Sequence, residues 1–362
     1  MSGLLKNTSS APFSLCLTTP LRLMAPLLGS LRKSRNRTSV AFFSSPGANF
    51  FVVFFLLSFT SFIGQPSLAA EQAGKDFPLL HAGLGARPVG LGGAYTAIAN
   101  DANAVFWNPA GTLLAHRFAF ETMQTRLASD LNVYYVSTVV QQRSSENATA
   151  DSAIGLMWIN AGMSEIPLVT GNETTVTSNT DVKPYDYSQF SSNAVGGSFS
   201  WWAAPNVAAG VNVTGIYQDF TKVTGGRGGA VSVTPGIIWL MDYRWALGAT
   251  IRDSWNYQKW GTGTVETVIP EFRLGISGLP VDWALFSAEF RQKTSLRYAT
   301  TFHLGSELNF WELVRLRVGY DEDHLTAGCG LYVRHVAVNY AFSASAAQAL
   351  GDSHRVSLEV NL

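Results

Sequence analysis

The feature that most constrains this chain is an alternation of apolar and polar residues with a period of two, which begins near residue 115 and continues to the C-terminus. In the clearest stretch, Phe302–Phe310, apolar side chains occupy most even positions, and polar residues or glycine occupy the odd ones. A period of two puts alternate side chains on opposite faces of a strand. The body of the chain is therefore predicted to be β-sheet.

About fourteen such segments lie between residues 117 and 362. We expect strands near 117–124, 132–141, 153–160, 194–203, 207–218, 230–241, 244–254, 266–278, 283–292, 300–311, 314–321, 325–334, 336–344 and 354–362. Most connections after odd-numbered strands are long, such as 161–193, and most after even-numbered strands are tight; 142–152 and 322–324 break this rule. Long loops on one side and short turns on the other are typical of outer-membrane barrels.

The composition supports a membrane barrel. Of the residues, 47% are hydrophobic and only 14% are charged, against roughly 25% charged in soluble domains. Beyond the N-terminal region no run of about 20 apolar residues occurs, so spanning helices are not expected. The predicted fold is all-β, a transmembrane antiparallel β-barrel of about fourteen strands over residues 116–362, preceded by an N-terminal hatch. A soluble secreted β-sandwich is the alternative, because alternation alone does not separate the two.

Residues 1–70 are predicted to be a signal or targeting segment with a long basic region at its start. The apolar run Phe50–Ile63 has about the length of a signal-peptide core, Arg32–Arg37 supplies positive charge before it, and Ser67–Ala70 offers small residues for cleavage. An organellar transit peptide and a retained signal anchor are the alternatives. The favoured interpretation implies export to the outer membrane of a bacterium.

Charge and cysteine content exclude several classes of function. The first 70 residues hold six of the 25 basic residues and no acidic one, so 19 basic residues face 25 acidic ones in the remainder. This acidic balance argues against a nucleic-acid partner. Of the two cysteines, Cys16 lies in the targeting segment, which leaves Cys329 without an internal disulfide partner and without a metal cluster. No cofactor is expected.

No catalytic motif is present. The sequence lacks G-x-S-x-G, H-E-x-x-H and C-x-x-C patterns, so we expect a protein that is not an enzyme, although a Ser/His pair assembled from distant strands stays open. The acidic run Asp321–His324 has two interpretations, a cation site or a tight hairpin. The hairpin is favoured because no glycine-punctuated loop of about twelve residues is present.

A glycine-rich segment, residues 83–111, precedes the first predicted strand, within a hatch or plug expected over 71–115. Glycine permits positive φ angles and a close approach of two backbones, so small residues suit a plug inside a barrel. Tyr95–Ala104 is expected to form a short helix, and Asn108–Gly111 a turn. The predicted hatch positions are Gly85, Gly92, Gly93, Asn108 and Pro109.

The two ends of the chain resemble a known family. The blocks Gly85–Arg87, Leu91–Ala97 and Asn108–Gly111, together with C-terminal stretches such as Arg317–Tyr320, are similar to FadL-like outer-membrane barrels, especially the PorV/PorQ-type branch. The resemblance implies a fourteen-stranded barrel with an N-terminal hatch, passing hydrophobic molecules such as long-chain fatty acids. For the PorV-type branch it implies a role in protein secretion. The expected partners are outer-membrane lipid and either a hydrophobic small molecule or a secreted protein cargo.

Charged residues at the strand positions that alternate with the apolar ones are predicted to line the lumen. They either steer a solute and hold the hatch or form a structural charge ladder between strands, and the ladder is favoured because every such barrel fills its lumen with polar groups. Pro235 and Pro270, inside predicted strands, indicate either a gap in the wall for lateral release or misplaced strand ends. The predicted lumen-lining residues are Arg252, Arg273, Glu289, Arg291, His303, Glu307, Arg315 and Arg317.

Overall fold

A computed structural model describes residues 83–127, 131–143, 150–168, 185–295, 298–322, 324–344 and 352–362. The predicted targeting segment, residues 1–70, lies outside the described residues, and so does the part of the predicted hatch from 71 to 82. Among the described residues, no helix is long and apolar enough to cross a membrane.

The described chain forms a closed barrel of fourteen antiparallel strands. Two of them, β7 and β8, are each interrupted once. The strands are β1 Phe118–Leu127, β2 Leu131–Gln142, β3 Ser152–Leu168, β4 Asp186–Ala204, β5 Val207–Phe220, β6 Arg227–Leu240, β7 Trp245–Arg252 with Trp255–Trp260, β8 Val265–Glu266 with Glu271–Val281, β9 Ala284–Lys293, β10 Thr301–Phe310, β11 Val314–Asp321, β12 His324–Val333, β13 Val336–Ser343 and β14 Ser353–Asn361. Strand β1 pairs with β14 from Ala119–Asn361 to Arg126–His354, which closes the barrel. The predicted all-β fold, an antiparallel barrel of about fourteen strands, is confirmed.

The two faces of the barrel wall differ in polarity as the alternation requires. On β14, Val356 and Leu358 are about half exposed on the outside, whereas Arg355, Ser357 and Glu359 are buried on the inside. The same arrangement recurs along the other strands, so the outer surface carries a continuous apolar belt. A soluble sandwich would bury its apolar face. An apolar exterior around a polar interior is the arrangement of a barrel that stands in lipid.

Two strand boundaries differ from the prediction. The connection expected over 161–193 is shorter, because β3 continues to Leu168 and β4 begins at Asp186, where these two residues pair. Polar residues on both faces of this extension hide its periodicity. The connection expected over 255–265 is also shorter, because Trp255–Trp260 continues β7 after a break at Asp253 and Ser254.

The N-terminal segment, residues 83–116, lies inside the barrel and is almost entirely buried. It contains helix α1, Ala86–Gly90, helix α2, Ala104–Trp107, and a 3-10 helix over Pro109–Leu114. The predicted helix over Tyr95–Ala104 is wrong, because this stretch is a series of turns. The Asp101 carboxylate accepts a hydrogen bond from the Asn103 backbone amide at 2.9 Å, which competes with helix formation.

Candidate functional site

Glycines let the N-terminal segment approach the barrel wall closely. Gly85, Gly92 and Gly93 have positive φ angles of 83°, 63° and 73°, a conformation that costs other residues strain. A Cβ atom on Gly92 would lie 2.5 Å from the Tyr320 carbonyl oxygen on β11. The wall contributes glycines of its own at these contacts, which sequence reasoning missed. Those that face the segment's backbone include Gly210, Gly248, Gly305 and Gly319.

Asn108 braces the turn at Pro109. Its Oδ1 accepts a hydrogen bond from the Ala110 amide at 3.2 Å, and its Nδ2 donates to the carbonyl oxygens of Thr96 at 2.8 Å and Ile237 at 3.1 Å. Pro109 has no backbone N–H group, and it occupies the first position of the 3-10 helix, where such a group would have no partner within the helix. One buried amide therefore joins two parts of the segment to strand β6.

Arg87 of helix α1 is the main ionic link between the segment and the wall. Its Nε donates to Glu307 Oε2 at 3.1 Å, and its Nη2 donates to Glu307 Oε1 at 3.2 Å. Its Nη1 donates to Asp101 at 3.1 Å and to the Tyr95 hydroxyl at 3.0 Å. Burial alone would lower the pKa of Arg87, but Glu307, Tyr95 and Asp101 outweigh it and raise that pKa above its ordinary value. Arg87 therefore stays charged in the lumen.

Glu289 and Arg291 on β9 and His303 on β10 hold the turns of the segment from the same part of the wall as Glu307. Glu289 Oε2 accepts from the backbone amides of Tyr95 and Thr96 at 2.9 and 2.8 Å. Arg291 pairs with Glu289 at 2.7 Å and donates to the Gly93 carbonyl oxygen at 2.6 Å. His303 Nδ1 lies 3.0 Å from the Gly92 carbonyl oxygen. These predicted lining residues therefore contact the segment directly.

The remaining predicted lining residues also face the lumen. The guanidinium of Arg252 lies 4.3 Å from the ring centre of Phe106, and that of Arg273 lies 5.6 Å from the ring centre of Trp107. Arg317 Nε donates to Glu307 at 2.7 Å. Arg315 lies 3.8 Å from Glu307 and stacks on the ring of Tyr332 on β12. The charges form pairs along and between strands, and several of them also bind the segment.

One side of the lumen is lined by uncharged residues that include a large apolar cluster, which sequence reasoning missed. Inward-facing side chains of strands β2 to β6 are buried with Phe106 and Trp107 of helix α2 in one hydrophobic cluster. The sequence signal for this patch lies in residues 153–159, where apolar residues occupy both the even and the odd positions of the strand. Its members on the wall include Val133, Met157, Ile159, Ala194 and Ile216.

The wall itself is interrupted between β7 and β8. The two strands pair at Arg252–Glu271 and again at Gln258–Glu266, but residues 253–257 of β7 and 267–270 of β8, between these points, form no ladder pairs with each other. The Asn256 side chain bridges the interruption. Its Nδ2 donates to the carbonyl oxygens of Asp253 and Val268, each at 2.9 Å, and its Oδ1 accepts from the Val268 amide at 2.6 Å. The nitrogen and the oxygen of one side-chain amide thus link β7 to β8 where backbone pairing between them is missing.

Both unexpected prolines adjoin this interruption. Pro270 stands where the pairing of β8 with β7 resumes, next to Glu271. Pro235 lies in β6 opposite the irregular part of β7, where Val233 and Gly236 pair but the two residues between them have no partner on β7. Proline removes a ladder donor and is expected at such a place. The prolines therefore mark a real irregularity of the wall.

The acidic run at Asp321–His324 forms a tight connection between β11 and β12, and Asp321 pairs with His324 across it. The Asp321 carboxylate lies 2.8 Å from Nδ1 of the buried His303 and 3.8 Å from Nε2 of His324. Asp323 lies outside the described residues. The arrangement agrees with a hairpin whose first carboxylate is used by neighbouring imidazoles.

Comparison with known proteins gives a match in fold. No family model matches the sequence, and no curated protein matches it. Among solved structures, the Ralstonia pickettii toluene transporter TbuX is similar with a TM-score of 0.58 and 14% identity, covering 79% of this chain and 100% of that one. The P. putida toluene transporter TodX follows with a TM-score of 0.56 and 13% identity, covering 77% and 99% of the two chains.

A monoaromatic hydrocarbon channel, CymD, has a TM-score of 0.53 and 11% identity, covering 78% of this chain and 98% of that one. The three neighbours are two toluene transporters and a hydrocarbon channel, and the chain spans nearly their whole length. None of these comparisons bears on the PorV/PorQ-type branch of the sequence resemblance. At such low identity, the similarity shows the fold alone, and this chain has the same barrel fold as these three proteins.

Proposed function

We propose that this protein is a passive channel for hydrophobic small molecules in the outer membrane of a bacterium. The observation that carries the proposal is the interruption between β7 and β8 beside the apolar side of the lumen. The apolar belt on the outside supports a lipid environment. The toluene and hydrocarbon channels of the same fold support the class of solute.

The interruption supplies a lateral route into the membrane. Val268, at the interruption, belongs to the same hydrophobic cluster as Phe106 and the apolar wall residues, while Trp255 and Tyr257 beside it are exposed on the outside. An apolar solute that moves along the cluster therefore reaches lipid through one layer of side chains. Leaving sideways is favourable because the solute passes into hydrocarbon without returning to water.

The N-terminal segment acts as a hatch in this proposal. It is held by ionic contacts on one side, through Arg87 and Glu307, and by aromatic packing of Phe106 and Trp107 on the other. The proposed division is a targeting segment over 1–70, a hatch over 71–115 and a barrel over 116–362. A shift of helix α2 would open the apolar side of the lumen towards the interruption, while the ionic contacts keep the segment inside the barrel.

Uptake by proteoliposomes tests the route. Purified protein is reconstituted, and entry of radiolabelled toluene and of palmitate is measured against protein-free vesicles. Asn256→Ala, which removes the bridge between Asp253 and Val268, should speed entry of the transported solute. Asn206→Ala is a matched control, because Asn206 Nδ2 also bonds a backbone carbonyl, that of Leu240, in a turn far from the interruption along the wall. Wild-type vesicles that take up neither solute faster than protein-free vesicles would rule out the channel.

A second function, a non-enzymatic component of a protein secretion or surface-attachment system, is favoured by one observation. The β3–β4 hairpin extends beyond its neighbour, since β3 pairs with β2 only up to Gly162 but continues to Leu168 against β4. Such an extension offers an edge for a protein cargo. Shortening the hairpin by removing 164–189 should abolish cargo display at the cell surface in this case, and should leave toluene uptake unchanged.

A further inference from the structure

Two glutamates stand directly opposite each other at the seam where the barrel closes. Glu121 on β1 pairs with Glu359 on β14, and both side chains point into the lumen, 0% and 3% exposed. The N-terminal segment adds Asp101, 2% exposed. One carboxylate oxygen from each of the three lies within 4.8 Å of the others. Like charges directly opposite on neighbouring strands destabilise a sheet, and burial increases this cost.

The surrounding donors compensate these charges only in part. Neutral amides bind two of the carboxylates: Asn103 donates to Glu121 Oε2, and Asn339 and Asn361 donate to Glu359 at 3.3 and 2.5 Å. The ion pair at the third carboxylate, from Arg87 to Asp101, is shared with Glu307. Within the described part of the chain, Glu121 Oε1 accepts no hydrogen bond.

Two buried hydroxyls next to Glu121 also lack a partner. Tyr135 on β2 is 0% exposed, Ser357 on β14 is 1% exposed, and neither hydroxyl has a hydrogen-bond partner among the described residues. Both residues lie diagonally across the sheet from Glu121, because Met123, the next inward-facing residue of β1, pairs with Tyr135 on β2 and with Ser357 on β14. Unpartnered buried polar groups are rare in folded proteins. Here they lie on the two strands that flank Glu121, on the same inner face of the barrel wall.

We propose that Asp101, Glu121 and Glu359 bind one divalent cation, Ca²⁺, between the N-terminal segment and the closing seam of the barrel. All available ligand atoms are oxygens, from three carboxylates and the hydroxyls of Tyr135 and Ser357. Such a set suits a hard cation. Ca²⁺ accepts irregular coordination, whereas Mg²⁺ requires a near-octahedral site. The ion would neutralise the opposed glutamates and tie the segment to strands β1 and β14.

Metal binding is tested on the purified full-length mature protein in detergent, after treatment with a chelator. CaCl₂ is expected to raise the thermal unfolding temperature of the wild type. Tb³⁺ should bind the same site, with emission sensitised by Tyr135, and Ca²⁺ should displace it. Glu121→Gln and Glu359→Gln should each weaken Ca²⁺ binding by at least about tenfold, since affinity follows the number of charged ligands. Both variants keep the side-chain shape and remove repulsion, so they should fold.

Glu271→Gln is the control, because it removes another buried lumen carboxylate, one that binds Arg273 at 2.5 Å; it should leave Tb³⁺ affinity unchanged. The proposal is wrong if Ca²⁺ does not change the unfolding temperature of the wild type. It is also wrong if the Glu121→Gln variant binds Ca²⁺ with the affinity of the wild type. If the wild type ignores Ca²⁺ while Glu121→Gln is more stable in chelator, the two glutamates share a proton instead, and the proposal fails.

Discussion

Arg87 in helix α1 and Glu307 on β10 form a two-pronged ion pair inside the lumen, with Nε–Oε2 and Nη2–Oε1 distances of 3.1 and 3.2 Å. Planar pairs of this kind fix direction as well as distance. Residues 220 positions apart in sequence therefore set the orientation of the whole N-terminal segment against the wall. Glu307 also binds Arg317, so one carboxylate joins the segment to the charge ladder of the strands.

Removing Glu307 alone should destabilise the segment more than removing both members of this pair. Arg87→Met leaves Glu307 with Arg317 as its close partner, while Glu307→Gln removes the carboxylate that two buried arginines share and leaves Arg87 with Asp101 alone. Breaking a buried pair typically costs about 3–5 kcal/mol, so Glu307→Gln should expose 83–116 to protease. The double variant should be less sensitive than Glu307→Gln alone. Limited proteolysis followed by mass spectrometry measures this, and equal sensitivity of the two would contradict it.

Gly92 should not tolerate a side chain. Gly92→Leu combines an unfavourable positive φ with a Cβ atom 2.5 Å from the Tyr320 carbonyl oxygen, so the turn should leave its position and the thermal unfolding temperature should fall. Gly263→Leu separates the two causes, because Gly263 has a φ of 87° with no atom within 4 Å of the added Cβ. It should cost only the backbone strain, about 1–2 kcal/mol. Similar losses in both variants would show that the close approach does not matter.

The sequence was sufficient for the barrel because its alternation is long-range and consistent. A period of two predicts the number of strands and that this number is even. It also predicts that the side chains of residues such as His303 and Glu307 point into the lumen. The ends of β3 and β4 did not follow, since the residues near Asp186 are polar on both faces and carry no periodic signal. The break in β7 was signalled only indirectly, by Pro235 and Pro270.

The contacts inside the lumen were much harder to predict. Gly92 and Gly93 could be predicted as hatch positions because glycine permits positive φ angles and a close approach of two backbones. Arg87 belongs to the block that carries the family resemblance, but its contact with the wall could not be predicted, since one arginine in a glycine-rich segment has no periodic context. The opposed pair Glu121–Glu359 depends on the register between the first and last strands. A register of this kind joins residues more than 200 positions apart and leaves no local pattern in the sequence.

His116, between the N-terminal segment and β1, should make stability depend on pH. Burial lowers the pKa of His116 from its ordinary value of 6.5, so the folded protein resists protonation that the unfolded chain accepts. The contribution of neutral His116 to the free energy of unfolding is fully present above pH 6.5, and it is lost as the pH falls through the pKa of His116 in the folded protein. His116→Gln should flatten the decline of the unfolding temperature between about pH 7 and pH 5. An unchanged decline would assign the effect to other groups.

Removal of the N-terminal segment should convert the protein into a larger and steadier pore. Residues 83–111 fill the lumen with buried backbone, and their loss leaves a ring of wall glycines and charged side chains facing water. The barrel should survive the deletion, because its closure by β1 and β14 lies outside the deleted range. Conductance in planar bilayers compares the intact protein with the deleted form, and the β-sheet signal in circular dichroism checks that both are folded. We expect a higher and less fluctuating single-channel conductance after deletion. If both forms conduct alike while folding equally well, the segment does not limit passage, and a docking role on the inner side of the membrane would replace the hatch.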